Sequence, residues 1–158
     1  MALNREALFS TLFDRLCLIN GIVYKSRIFK TYDDLEASEQ PALIMVKTSE
    51  SVANQRGLPP IWTLQGTIFL YCRNDQDPYV GASVQLNQLI TLVEAAFERQ
   101  PNEYTIPNAP YQDMPSDYLT TLNGQCSHCW ISGTIQTDEG MLGSQAAASI
   151  PFEIVATA

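Results

Sequence analysis

Ile61-Trp62-Thr63-Leu64-Gln65-Gly66-Thr67-Ile68-Phe69-Leu70-Tyr71-Cys72-Arg73 is the stretch that decides the fold. Its β-branched and aromatic residues alternate in character, the mark of a strand with one face buried. Trp62, Leu64, Ile68, Leu70 and Cys72 fall on one face. Gly66 lies in the same row, where a closely packed helix backbone or a bulge has use for a missing side chain. A thirteen-residue strand is long, so a sheet built around it needs partners and a cover.

Working outward, the segment before it, Ser49 to Pro60, reads as a polar loop ending in Arg56-Gly57-Leu58-Pro59-Pro60, since two prolines cannot sit in a ladder. Ala42 to Thr48, entered at Pro41, and Ile22 to Phe29 read as two earlier strands, with the acidic Thr31 to Gln40 as a connector. The N-terminal stretch is helical. Asn4 is its cap, Glu6 sits in the first turn, and Asn20-Gly21 ends it; Leu8, Leu12, Leu16 and Ile19 form its stripe, with Phe9, Phe13 and Cys17 beside it.

After the long strand, Asp77-Pro78 begins a second helix whose start can slip to Ser83, and Leu86, Leu89, Ile90, Val93, Ala96 and Phe97 carry its period up to Pro101. Gln100 to Gly124 is an irregular loop rich in Pro, Asn, Tyr and Asp. Cys129 to Thr137 and Ala146 to Val155 close the chain as two strands connected from Asp138-Glu139-Gly140, with Pro151 marking the last as an edge or a bulge. The expectation is α+β: one domain over 1–158, an antiparallel or mixed sheet of about five strands, two main helices packed on it, order α-β-β-β-α-β-β, and a long loop at 100–124.

The 158 residues and 46% hydrophobic content suffice for a core without staples. No apolar run approaches a membrane span, and Met1 to Phe9 lacks a cleavable signal pattern, so synthesis in a cytoplasm with four reduced cysteines is expected. The formal net charge is −8 and the pI about 4.4. Gripping phosphates takes a basic stripe. Lys25, Arg27 and Lys30 are the only basic cluster, read as a solvated strand face, so tight nucleic-acid binding is disfavoured.

Cys126-Ser127-His128-Cys129 is the one motif that invites chemistry. A redox C-x-x-C opens a helix whose N-terminus depresses the thiol pKa, but Trp130-Ile131-Ser132-Gly133-Thr134-Ile135 continues it as a strand. As a zinc site it offers Cys126, His128 and Cys129 and lacks a second ligand cluster; Cys17 and Cys72 stand singly in core-facing rows. His128 is the sole histidine, so any nucleophilic triad passes through it, beside thiols that are badly aligned for proton transfer. The carboxylates Asp33-Asp34-Glu36, Asp75-Asp77, Asp113-Asp117 and Asp138-Glu139 read as caps and turns. No phosphate-binding, dinucleotide or metalloprotease motif occurs, and neither catalytic residues nor a cofactor are expected.

Several segments together resemble the tail-terminator, or tail-completion, proteins of long-tailed bacteriophages. They are Arg5-Glu6-Ala7-Leu8-Phe9, Gln40-Pro41-Ala42-Leu43, Arg56-Gly57-Leu58-Pro59-Pro60-Ile61-Trp62-Thr63-Leu64 leading into Tyr71-Cys72-Arg73, Ser127-His128-Cys129-Trp130-Ile131, Thr137-Asp138-Glu139-Gly140, Leu142-Gly143 and Ile150-Pro151. The resemblance covers most of the chain and fails over Gln100 to Gly124. It implies a virion structural protein of the tail or neck, a homo-oligomeric ring of six subunits that caps the tail tube and meets the head connector. DNA would pass through its lumen without specific binding, which suits an acidic protein. The contact residues nominated within that picture are Arg56, Leu58 and Pro59 on a rigid loop, and the interface-prone Tyr104, Tyr111 and Tyr118. Two alternatives stay open: another neck or head-completion protein, and, from a different class, a small metal-binding or redox module on Cys126, His128 and Cys129.

Overall fold

The computed structural model describes residues 3–75, 77, 79–100, 103 and 119–157. Helix α1 (Arg5–Cys17) is followed by β1 (Tyr24–Ser26), two single turns of 3₁₀ helix, β2 (Ala42–Ala53), β3 (Ile61–Arg73), α2 (Gly81–Ala96), β4 (His128–Ile131), β5 (Gln136–Leu142) and β6 (Gln145–Thr157). The fold is α+β with a mixed sheet of six strands in the order β1-β2-β3-β6-β4, β5 also pairing with β6. Only β1 and β2 run parallel; every other neighbour is antiparallel.

The deciding strand behaves as its alternation requires. Leu64, Ile68, Leu70 and Cys72 are fully buried under the helices, and Trp62 ends the row half-buried with the Arg5 guanidinium 4.4 Å above its ring. The same face takes Leu43 and Met45 from β2 and Ala148, Ile150, Phe152 and Ile154 from β6. Onto it α1 lays Leu8, Phe9, Leu12 and Leu16, and α2 lays Leu86, Leu89 and Val93. Each such aliphatic side chain contributes roughly 1.5–3 kcal/mol by leaving water, so this shared face holds the domain together. Asn4 caps α1 as expected, its carboxamide oxygen accepting the Ala7 N–H at 3.1 Å, though α1 ends at Cys17, before Asn20-Gly21.

Gly66 has a more specific cause than a helix backbone. It stands opposite Phe152 on β6, and a Cβ placed on it would lie 2.3 Å from Phe152 Cζ and 2.7 Å from the Val46 carbonyl oxygen. The Phe152 ring lies across this missing side chain, with Phe9 and Phe97 at 6.1 and 6.0 Å around it. A register shift in β2 between Lys47 and Ser49 falls opposite the same position.

Four strand boundaries differ from the sequence reading, each for a visible reason. Ile22 to Phe29 is strand only at Tyr24–Ser26, where β2 offers a partner at Ala42–Ile44. Ser49 to Ala53 is not loop but the outer half of β2, exposed throughout and held by its register with Ile61 to Gln65; the turn is only residues 54–60. Asp138-Glu139-Gly140 lies inside β5, and the reversal comes later, at Gly143-Ser144. The expected strand Cys129 to Thr137 is two strands, β4 and β5, laid end to end along β6.

Pro151 explains that division. It sits mid-strand in β6, paired with Thr67 of β3, so β6 is not an edge. Its carbonyl accepts the Ser132 N–H at 3.0 Å on the other side. In a strand a residue's N–H and C=O point the same way, so the donor that proline lacks faces the gap between β4 and β5. The ladder is interrupted where it has nothing to receive.

The opposite sheet face is only partly covered. Leu35, Ala42, Ile44 and Tyr71 form a small second cluster under the 28–40 segment, with Phe29 edge-on to Phe69 at 5.1 Å. The acidic residues there act as expected of caps: the Asp34 carboxylate accepts the Thr31 N–H at 3.1 Å, and the Glu39 carboxylate the Glu36 N–H at 2.9 Å. Among the described residues no helix is long and apolar enough to cross a membrane.

Candidate functional site

The Cys126-Ser127-His128-Cys129 motif does not bring its three candidate ligands together: Cys126 and Cys129 both enter the core, and His128 turns away from them. Residues on a strand alternate faces, so on β4 Cys129 joins the core under the helices while His128 and Trp130 share the other face, stacked at 3.7 Å. Burial pushes the Cys126 thiol up to about 12 and Cys129 well above the ordinary range, the reverse of the depression a redox thiol needs. His128 Nε2 is shut away without a hydrogen-bond partner, and burial lowers the imidazole pKa against the opposing pull of Glu153. Among the described residues no three His, Cys, Asp or Glu side chains gather as a metal cage.

Sequence reading missed a dense polar centre at Glu103. Its side chain is 1% exposed and pairs with Arg15 at 2.8 Å. It also accepts the Asn123 N–H at 2.7 Å, the Gln100 N–H at 2.9 Å and the Thr120 hydroxyl at 2.9 Å. Burial alone would raise its pKa, but these bonds outweigh it and hold the carboxyl at about 2. The turn it grips is strained. Leu122 (φ 49) and Asn123 (φ 62) both occupy the left-handed region, which costs a side-chain-bearing residue roughly 1–2 kcal/mol. Leu122 is nonetheless fully buried, and the converging N–H groups make a concavity suited to an anion, which Glu103 fills. So the last part of the expected 100–124 loop, 119–124, is a built turn: Thr120 bridges Phe97 and Cys129 through backbone bonds. Only the Asn123-Gly124 pair signalled it in the sequence. Glu103 serves as a structural clamp.

Of the nominated contact residues, Arg56, Leu58 and Pro59 stand together at the exposed turn between β2 and β3. Gly57 takes φ 81, the Leu58 N–H donates to the Gln55 carbonyl at 3.1 Å, and Pro59-Pro60 stiffen the return. Leu58 is 61% exposed, and Val52 and Ile61, on the two strands that carry the turn, are exposed too. Tyr104, Tyr111 and Tyr118 lie outside the described residues.

The tip is electrostatically distinct. The chain has nine Lys and Arg. Arg5 and Lys47 share Glu50, Arg15 holds Glu103, Arg27 holds Glu6, Lys30 reaches Glu39 at 3.5 Å and Arg73 holds Asp75. Lys25 bonds the Cys17 carbonyl at the end of α1, and Arg99 the Glu103 carbonyl. The predicted basic cluster of Lys25, Arg27 and Lys30 stays at the surface as expected, Arg27 exposed and the other two partly so, and each also bonds a group of the same molecule. Arg56 is the one cation left without an acceptor among the described residues.

At the other end of the sheet, on the face without helices, lies an open concavity of about 290 Å³. Phe69, half-buried, and the buried Tyr71 line it with Ala147, their near-parallel rings 6.4 Å apart between centroids, and Asp138 and Gln136 stand along β5. Asp138 is half-buried and has no cation partner among the described residues.

Hairpin, clamp and concavity define an α+β scaffold with its exposed chemistry at the two ends of one sheet. No family model matches the chain, and no curated protein matches it.

Proposed function

We propose that this chain is a structural subunit of a tailed-phage virion, assembling with copies of itself, six by the resemblance, into a ring that caps the tail tube and meets the head connector. The observation that carries the reading is the disposition of charge. Eight of the nine cations are tied down by groups of the same molecule, and the ninth sits on a preformed, apolar-sided tip. Affinity for nucleic acid comes from cations free to replace counterions, so a surface of this kind lets DNA pass without holding it. A stiff tip loses little conformational freedom when it docks, which suits protein–protein assembly.

Virion localisation, the tube and connector contacts and the absence of catalysis all belong to this reading. Imaging particles assembled without the protein tests it. Tails of abnormal length detached from heads are expected; tails of normal length place the chain at a different joint of the neck. A chain that is monomeric and does not bind tail-tube protein refutes the ring.

A further inference from the structure

The hairpin tip and the concavity complement one another, yet one molecule cannot bring them together. Both belong to β3 and its neighbours: the tip precedes Ile61, and the concavity is floored by Phe69 and Tyr71. Eight residues of strand at about 3.3 Å each put roughly 26 Å of stiff sheet between Ile61 and Phe69. Each offers what the other lacks. The tip has the Arg56 guanidinium, without an acceptor among the described residues, and the exposed Leu58; the concavity has the Asp138 carboxylate, without a cation among them, and the half-buried Phe69 ring. A planar guanidinium pairs with a carboxylate while lying against aromatic faces, which an ammonium does less well. At about 290 Å³ the concavity is smaller than most cofactor sites and suits one or two side chains.

We propose that the Arg56–Leu58 tip of one copy seats in the concavity of the next, Arg56 pairing with Asp138 beside Phe69 while Leu58 covers the apolar lining. This deepens the ring reading and rests on it. Because each copy carries both halves at opposite ends of its sheet, the contact is head to tail, and repetition closes into a ring when the rotation per copy allows. The occupant is a second copy of this chain because its charges are complementary: Arg56 is the only cation without an acceptor among the described residues, and Asp138, one of several carboxylates with no cation partner among them, is the one that lines this concavity beside Phe69.

The test is a pair of charge reversals, Arg56→Glu and Asp138→Arg, followed by sedimentation velocity and native mass measurement. Both residues lie away from the core, so circular dichroism should match the wild type. Each variant alone is expected to lose assembly at least tenfold in concentration dependence. An equimolar mixture should regain it, since the acidic tip of the Arg56→Glu copy meets the basic concavity of the Asp138→Arg copy. The other junction in the mixture is native on both sides, Arg56 against Asp138. Mixed rings must alternate, so only even subunit numbers form. The double variant Arg56→Glu/Asp138→Arg should assemble by itself. If wild-type rings form and both single variants also form them, or if native-like variants fail to co-assemble, this contact is wrong and the ring stands. If the wild type is monomeric at every concentration, the ring reading itself falls.

Discussion

Replacing Gly66 with alanine sets two physical effects against each other, and the structure decides the sign. On backbone grounds alone the change should stabilise the protein by roughly 0.5–1 kcal/mol, because glycine within a strand loses more freedom on folding than alanine. Sterically the new methyl would lie 2.3 and 2.6 Å from two ring carbons of Phe152 and 2.7 Å from the Val46 carbonyl oxygen. Neither neighbour yields easily. Phe152 is 1% exposed and flanked by Phe9 and Phe97, and the Val46 oxygen is backbone. Overpacking of this kind costs about 1–3 kcal/mol, and with both a ring and a carbonyl in the way the upper part of that range applies. The net expectation for Gly66→Ala is a loss of about 2 kcal/mol. Urea unfolding followed by circular dichroism measures it, as a lower midpoint with an unchanged slope. A second arm isolates the ring's share. In a Phe152→Leu background the alanine should cost distinctly less, leaving the part due to Val46, so the two substitutions should not add. A Gly66→Ala protein as stable as wild type, or more stable, refutes the packing argument.

The remaining predictions concern titratable groups. Glu103, brought from 4.5 to about 2, contributes about 3 kcal/mol near neutrality. Its folded pKa is the lower one, so this contribution is complete above the unfolded value and fades as pH falls from about 4.5 toward 2; Glu103→Gln should flatten the acid limb of a stability–pH curve, and an unchanged limb would remove Glu103 from the account. Cys72, Cys126 and Cys129 are buried with raised pKa values, whereas Cys17 is only half-buried. A thiol reagent on the native protein should therefore label Cys17 first and the others only on unfolding, and prompt labelling of Cys126 would contradict this.

How legible the fold was in the sequence depended on what each residue faces. The core strands and both helices were readable because Leu64, Ile68 and Leu70, or Leu8, Leu12 and Leu16, meet one apolar layer and so carry its period. The outer half of β2 was not, because Ser49 to Ala53 is exposed and its strand character comes from pairing with β3, a long-range fact. Asp138-Glu139-Gly140 has turn composition, but β6 supplies Ala146 and Ala147 as partners and the register overrides propensity. The Arg56 tip was found through its Gly and Pro punctuation. That Arg56 alone lacks an acceptor among the described residues was not, since most of the other cations find theirs through tertiary contact. Glu103 could not be recognised either: its role arises where three separate segments meet its carboxylate, and none of them announces it.

The missing hydrogen of Pro151 leaves the outer pairing of β6 broken between Ile131 and Gln136. β4 is fastened to the Thr120 turn and through it to the Glu103 clamp, while β5 carries Asp138 and borders the concavity. Were they one continuous strand, any tilt of the concavity's rim would travel along the backbone into the clamped turn. Opposite the proline only the Ser132 N–H bond to its carbonyl remains, so the two strips pair with β6 as separate segments. In the proposed ring, the strip that carries the rim is thus joined to the clamped turn only through β6 and the link 132–135.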